Sequence, residues 1–433
     1  MPLLFLTILF SAGLTVYFAI SMVRRLKVLN DPVYGFITLS DELLLEVLDQ
    51  PVVQRLRRIR QMGLAHLVYP GATHHRLLHA LGTMHLTART LQNFRDQDIP
   101  FTTEERLALL VATLLHDVGH GPFSHALEGA LSEVGSHEAL SALILETLIP
   151  LPEEIRSKAL HMLQGTYPVA WFNHMVASQL DMDRLDYLGR DSFFTGVSEG
   201  VIGSERILSL LTVSDGLLAI EEKGIYSVEK FLLARHLMYW QVYLHKTVLS
   251  AEFHLLNILR LARTLWKQGE AVSMPHNLER LLIASTPREK LEAFAQLDDA
   301  DISYGIKMWA GSKDPWLRDL CCRLLERRLF KTFILPTAPS PELLETLRNR
   351  VTNRLGQGAD SYYLYHGPLI NDYYHCDHMP ILVRTKKGQL LPAHRISPTI
   401  DALARNIVTQ KYFVMIPDFL ARDEQLTENF SFL

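Results

Sequence analysis

Histidine and aspartate are the residues of this chain whose spacing calls for a chemical explanation. Eight of its 19 histidines, His74, His75, His79, His85, His116, His120, His125 and His137, fall within one short stretch. His116 is followed directly by Asp117. Imidazole and carboxylate together suit Mn, Fe, Zn or Mg, and two adjacent ligands can reach one ion where a helix opens into a loop. Such a pair also serves as a cap or a salt-bridge partner, so by itself it leaves both uses open. Arg76 and His79 are three apart and share a helix face. That spacing would set a guanidinium for phosphate beside an imidazole for metal. A third stretch, Asp181-Met-Asp-Arg-Leu-Asp-Tyr-Leu-Gly-Arg-Asp191, holds four aspartates in eleven residues. On a helix, Asp183, Tyr187, Arg190 and Asp191 lie near one face, with Arg184 beside them. Two readings stand: a solvated, salt-bridged surface, or a site for a metal and a polyphosphate.

These residues need helices to carry them, and the surrounding pattern supplies helices. From about Leu43 to about Phe330 the apolar spacing is mainly helical. Leu107, Leu110, Val111, Leu114 and Leu115 make one stripe on a helix over Glu104–His116. Thr102 and Glu105 read as its capping box, and Gly119 and Gly121-Pro122 end it. Further amphipathic stretches run from Val176 to about Asp191 and from Val228 to about Trp266, the latter as one helix or two. The character changes at Pro336-Thr-Ala-Pro-Ser-Pro341, a turn-rich run. Beyond it, strand-like segments at Tyr362–Tyr365, Ile381–Arg384 and Tyr412–Ile416 alternate with helical patterns at Glu342–Leu355 and Pro398–Asn406. The expectation is a mainly α protein: a helical unit over 27–335 and a smaller α+β appendage over 336–433.

Composition narrows the function classes. Hydrophobic residues make up 48% and charged residues 21%, a globular rather than disordered balance. With 43 basic and 47 acidic residues the net charge is −4, so no nucleic-acid-coating surface is expected. The three cysteines, Cys321, Cys322 and Cys376, fit neither a disulfide scaffold nor a CxxC metal site. Residues 1–26 form an apolar segment: Pro2 to Met22 carry no charge, and Arg24, Arg25 and Lys27 follow. It reads either as an over-extended start, with translation from Met22, or as a membrane anchor long enough to span a bilayer. In both cases the remainder is expected in the cytoplasm, in the second because of the basic cluster.

Three passages, in order, resemble the deoxynucleoside triphosphate triphosphohydrolase branch of the HD superfamily. They are Val68-Tyr-Pro-Gly-Ala-Thr-His-His-Arg-Leu-Leu-His-Ala-Leu-Gly82, Leu115-His-Asp-Val-Gly-His-Gly-Pro-Phe-Ser-His125 and the Asp181–Asp191 stretch. The likeness runs from Lys27 to about Lys246 and is weaker in the appendage. It implies an HD-domain helical core with a divalent metal, of undetermined identity, on His79, His116, Asp117 and Asp183. It also implies catalytic roles for His120 and for the proton-relay trio His125, Glu128 and His137. Phosphate contacts fall to Arg76, Arg184, Tyr187 and Arg235, and deoxyribose contacts to Gln61, Asp191 and Tyr243. Glu128 stands where relatives often have Asp, Arg184 where a relative has Lys, and Leu244 where a relative has a base-contacting Gln. Base preference is therefore left open. The resemblance assigns no role to His74, His75 or His85, which are expected in packing or at the surface.

The reaction so implied converts a deoxynucleoside triphosphate and water to a deoxynucleoside and inorganic triphosphate. The alternative is an HD phosphohydrolase acting on another nucleotide phosphomonoester or phosphodiester. Asp49-Gln-Pro-Val-Val-Gln-Arg-Leu-Arg57 resembles the segment that binds an activating guanine nucleotide between subunits of that branch. Lys27, Val28, Asp49, Gln54 and Arg57 match its contacts, which implies a homo-oligomer, dimer or tetramer. An ordinary surface helix would carry the same Gln-Arg-Leu-Arg run.

Overall fold

A hairpin leads into the helices. β1 (Lys27–Asp31) and β2 (Gly35–Leu39) pair antiparallel, Lys27 opposite Leu39. The Asp31 carboxylate accepts from the backbone N–H of Val33 and Tyr34, at 2.9 and 3.0 Å, and Gly35 takes the positive φ of 75° that closes the turn. The computed structural model describes residues 26–124, 127, 135–370, 374, 379–405 and 410–423. The apolar segment before residue 26 lies outside them, as do His125 and Glu128. No helix among the described residues is long and apolar enough to cross a membrane.

The fold is mainly α. The helices that build the site are α1 (Arg76–Asp96), α2 (Thr103–Leu115), α3 (His137–Thr147), α4 (Ala170–Val176), α5 (Met182–Thr195), α6 (Ile225–Met238) and α7 (Lys246–Lys267). The capping box at Thr102 and Glu105 is present. The single apolar stripe expected on α2 is not what forms: Ala108 to Leu115 are all buried. α2 packs both on α1 and on the helix Glu153–Leu163, so its buried face extends all round.

The amphipathic run expected from Val176 to Asp191 is broken. α4 ends at Val176, and Asp181, whose carboxylate accepts from the Arg184 N–H at 2.7 Å, caps a new helix. The run from Val228 to Trp266 is two helices, joined by a π-helical turn at Tyr239–Tyr243.

β3 (Leu211–Ser214) and β4 (Leu217–Glu221) lie before residue 336, and β7 (Leu382–Arg384) and β8 (Leu390–Pro392) after it. Together they form one sheet in the order β3-β4-β7-β8, with β4 and β7 parallel. A second sheet, β5-β9-β6, joins Lys331–Leu335, Gln410–Ile416 and Tyr365–Ile370. The strand expected at Tyr362–Tyr365 is displaced. Asp360–Tyr363 is one helical turn, and pairing begins only at Tyr365, opposite Met415.

α1 and α5 cross where Gly82 meets Asp186. A Cβ built on Gly82 would fall inside the Asp186 carboxylate and against the Arg190 guanidinium. Gly189, on α5, has no atom within 4 Å of its missing Cβ. Gly82→Ala should therefore lower the unfolding free energy, read from the shift in urea midpoint, by about 1–3 kcal/mol. Gly189→Ala should raise it by about 0.5–1 kcal/mol. Equal midpoints for the two variants would contradict the close approach.

Candidate functional site

Four side chains from three places in the chain converge. His79 is on the first turn of α1, His116 and Asp117 follow α2, and Asp183 is on the first turn of α5. His79 Nε2 is 3.2 Å from His116 Nε2, 3.1 Å from Asp183 Oδ1 and 3.5 Å from Asp117 Oδ2. His116 Nε2 is 3.5 Å from Asp117 Oδ1 and 3.6 Å from Asp183 Oδ1. Donor atoms that share one cation at about 2.0–2.2 Å lie about 3–3.5 Å from one another, so the spacing suits a common ion.

Both imidazoles are held from behind. His79 Nδ1 is 2.7 Å from Asp186 Oδ2, and His116 Nδ1 is 2.8 Å from the Thr113 carbonyl. An acceptor at Nδ1 keeps the proton there and turns the Nε2 lone pair toward the cluster. The electrostatics agree. Burial opposes a charge on His79, but hydrogen bonds to Asp183 and Asp186 outweigh it and push the imidazole up to about 10. Burial likewise opposes ionisation of Asp183, yet hydrogen bonds from His116 and His79 hold its carboxyl below the usual range. The cluster thus demands positive charge, which a divalent cation supplies. Its two imidazoles and two carboxylates are a fitting donor set.

A cavity of about 450 Å³ opens beside this cluster. Gln61, Arg76, Asp117, His120, His137 and Asp183 lie on its wall, and so do Arg184, Tyr187, Asp191, Arg235 and Tyr243. The Arg76 guanidinium contacts Asp117 and donates to Ser124 Oγ at 2.8 Å. Arg184 is anchored by the buried Asp181, and Arg235 donates to Gln179 at 3.2 Å. His120 Nε2 is 3.4 Å from Asp117 Oδ1, and its ring stacks on His137 at 4.0 Å. Tyr243 OH donates to Asp191 at 2.9 Å. His125 and Glu128 are outside the described residues, so the relay trio is placed only at His137.

The remaining expected residues stay apart from this cavity. Lys27 Nζ lies 3.2 Å from Asp49, and Arg57 Nε donates to Gln54 at 2.8 Å, both near the surface. Val28 is exposed on β1.

Two expectations need correction. Arg190 does not share the face of Asp183, Tyr187 and Asp191. It is fully buried between Asp186, at 2.9 Å, and Asp31, at 2.8 Å. Four residues after Asp186 it falls on the side of α5 that meets α1. His74 is not simply a packing residue either. Its Nε2 is 2.7 Å from Asp191 Oδ1, and its ring stacks on Phe194. Asp186 and His74 were within the quoted motifs, but only their partners across the fold reveal what they hold.

A family model described as the HD domain matches residues 76–186, and one described as the HD associated region matches residues 202–256. The chain belongs to the HD-domain phosphohydrolases. A phosphohydrolase structure from Bacteroides thetaiotaomicron is 36% identical with a TM-score of 0.85, covering 90% of this chain and all of that one. The uncharacterized protein YwfO of Bacillus subtilis is 30% identical over 87% of this chain and 89% of its own length. The deoxynucleoside triphosphate triphosphohydrolase SAMHD1 of Danio rerio is 27% identical over 71% of this chain, which spans 55% of that relative's length.

Asp186→Asn should test the support behind His79. A neutral amide no longer fixes the ring as firmly, so affinity for Mn²⁺ should fall about 10–100-fold, measured by titration calorimetry with folding checked by circular dichroism. Unchanged affinity would show that His79 orients itself without Asp186.

Proposed function

We propose that this protein is a metal-dependent deoxynucleoside triphosphate triphosphohydrolase. The observation that carries the reading is one cavity lined by Asp117 and Asp183, two of the four clustered His and Asp side chains, together with three arginines, Arg76, Arg184 and Arg235. Three guanidiniums suit a triphosphate better than a single phosphate. The SAMHD1 relatives are named for this activity, and the Dictyostelium discoideum homolog is 30% identical over 52% of this chain.

His79, His116, Asp117 and Asp183 would hold the ion, which supplies an acidified water and a counter-charge for phosphate oxygens. In this reading Arg76, Arg184, Tyr187 and Arg235 bind the phosphates, and Gln61, Asp191 and Tyr243 border the deoxyribose. His120 sits beside the α-phosphate. His125, backed by Glu128 and His137, gives a proton to the 5′ oxygen as its bond to the α-phosphorus breaks. The water oxygen ends on the phosphorus. Lys27, Val28, Asp49, Gln54 and Arg57 would bind an activating guanine nucleotide between subunits of a homo-oligomer.

Incubation of the purified protein with each dNTP and Mn²⁺ or Mg²⁺, followed by ion-pair chromatography, should yield deoxynucleoside and triphosphate. A nucleoside monophosphate with pyrophosphate as first products would refute the site of attack. Hydrolysis only of monophosphates or phosphodiesters would favour another nucleotide substrate. Asp117→Ala should lose bound metal and turnover together while remaining folded.

GTP or dGTP should raise the rate of dATP hydrolysis and shift sedimentation toward a larger species, by linkage to the assembled form. Arg57→Ala should abolish both effects. Equal rates and sedimentation in all conditions would make the 49–57 segment purely structural.

A further inference from the structure

The acidic groups of the cavity are engaged, with one exception. Asp117 meets Arg76, Asp183 meets His79, and Asp191 accepts from Tyr243 and lies against His74. Glu252, on the second turn of α7, also lines the cavity, and among the described residues nothing donates to it. None of the three arginines is within ion-pair distance of it. It lies over Gly63: a Cβ on that glycine would stand 3.7 Å from Glu252 Oε1, an ordinary contact distance. Close surroundings push its carboxyl up to about 7 by burial alone. Glu252 is half-buried with its side chain on the cavity wall, and an acid group that no protein donor occupies can accept a hydrogen bond from a bound molecule.

Its neighbours narrow the explanation. Met62, Leu244, Val248 and Leu249 line the same cavity and are apolar. Val248 and Leu249 share the Glu252 face of α7, four and three residues before it. A carboxyl among apolar side chains and away from the arginines repels phosphate. It suits a flat ring whose faces are apolar and whose edge donates hydrogen bonds. Gln61 Oε1, on the same cavity, is also without a donor among the described residues. One further donor, such as a sugar hydroxyl, would satisfy it.

We propose that Glu252 reads the substrate's base by accepting a hydrogen bond from its exocyclic amino group. The inference rests on the nucleotide reading of the cavity. Adenine, cytosine and guanine each carry such an amino group, whereas thymine presents a carbonyl oxygen and a methyl group. Above about pH 8, where a carboxyl raised to about 7 is ionised, a carboxylate facing that oxygen leaves both acceptors unpaired, so thymidine triphosphate is the disfavoured substrate there.

The test compares kcat/KM for dATP, dCTP, dGTP and dTTP in the unmodified protein, Glu252→Gln and Glu252→Leu. The unmodified protein should favour each amino-bearing triphosphate over dTTP by about tenfold or more. Glu252→Gln, whose amide both donates and accepts, should bring dTTP close to the others, and Glu252→Leu should remove the discrimination. A uniform loss across all four, or ratios unchanged in both variants, would overturn the assignment and leave the triphosphohydrolase reading intact. Titration calorimetry with the same four nucleotides reads the preference without turnover. A binding ratio that follows the amino group and collapses in Glu252→Gln, in a protein that hydrolyses none of them, would uphold Glu252 and sink only the hydrolytic reading. Binding of none of the four would overturn both.

Discussion

The buried line from His79 through Asp186 and Arg190 to Asp31 ties the His and Asp cluster to the scaffold. His79 Nδ1 is 2.7 Å from Asp186, Arg190 donates to both Asp186 oxygens at 2.9 Å, and its other nitrogen reaches Asp31 at 2.8 Å. Burying these charges costs more than an apolar substitute of the same shape would. What the line contributes is placement. It fixes the proton of His79 on Nδ1, presses α5 against α1 at Gly82, and pins the turn of the N-terminal hairpin to the helical core. One set of charges therefore serves the cluster, the helix crossing and the hairpin.

The same construction recurs around the cavity. Asp191 is held by His74 on one oxygen and Tyr243 on the other. Arg184 is anchored by Asp181, which also caps α5. The loop after Asp117 is gripped by Arg55, fully buried, which donates to the carbonyls of Val118 at 3.2 Å and His120 at 2.6 Å and to that of Leu297 at 2.8 Å. Ser141 on α3 accepts from the Gly119 N–H at 2.9 Å. Asp191, Arg184 and the loop of His120 are thus oriented in part by groups that do not face the cavity, His74, Asp181 and Arg55, which keeps geometry in place before any ligand arrives.

Charge is segregated by the elements that carry it. The ligand cluster comes from α1, the end of α2 and α5, while the apolar wall and Glu252 come from α7 and the segment after Gln61. The π turn at Tyr239–Tyr243 joins these halves, carrying Tyr243 toward Asp191 before α7 begins. A fold by itself does not decide a reaction, so what this cavity acts on depends on the side chains of its walls as well as on the His and Asp cluster.

The sequence alone determined the helical class and the capping box of α2, and it marked the three motifs that carry the clustered His and Asp side chains, because those depend on neighbours a few residues apart. Periodicity places residues on a helix face, and His-Asp adjacency survives any fold. It also carried the correct suspicion that Val228–Trp266 holds more than one helix. It misplaced Arg190, began the α5 helix too early at Val176 and took Tyr362–Tyr365 for strand. Only the tertiary structure decided those, along with the partners of Asp186 and His74 and the isolation of Glu252. Asp186 and His79 are 107 residues apart, and His74 and Asp191 are 117 apart. Whether a buried charge finds its counter-charge is settled by which helices cross, and a local pattern holds no record of that.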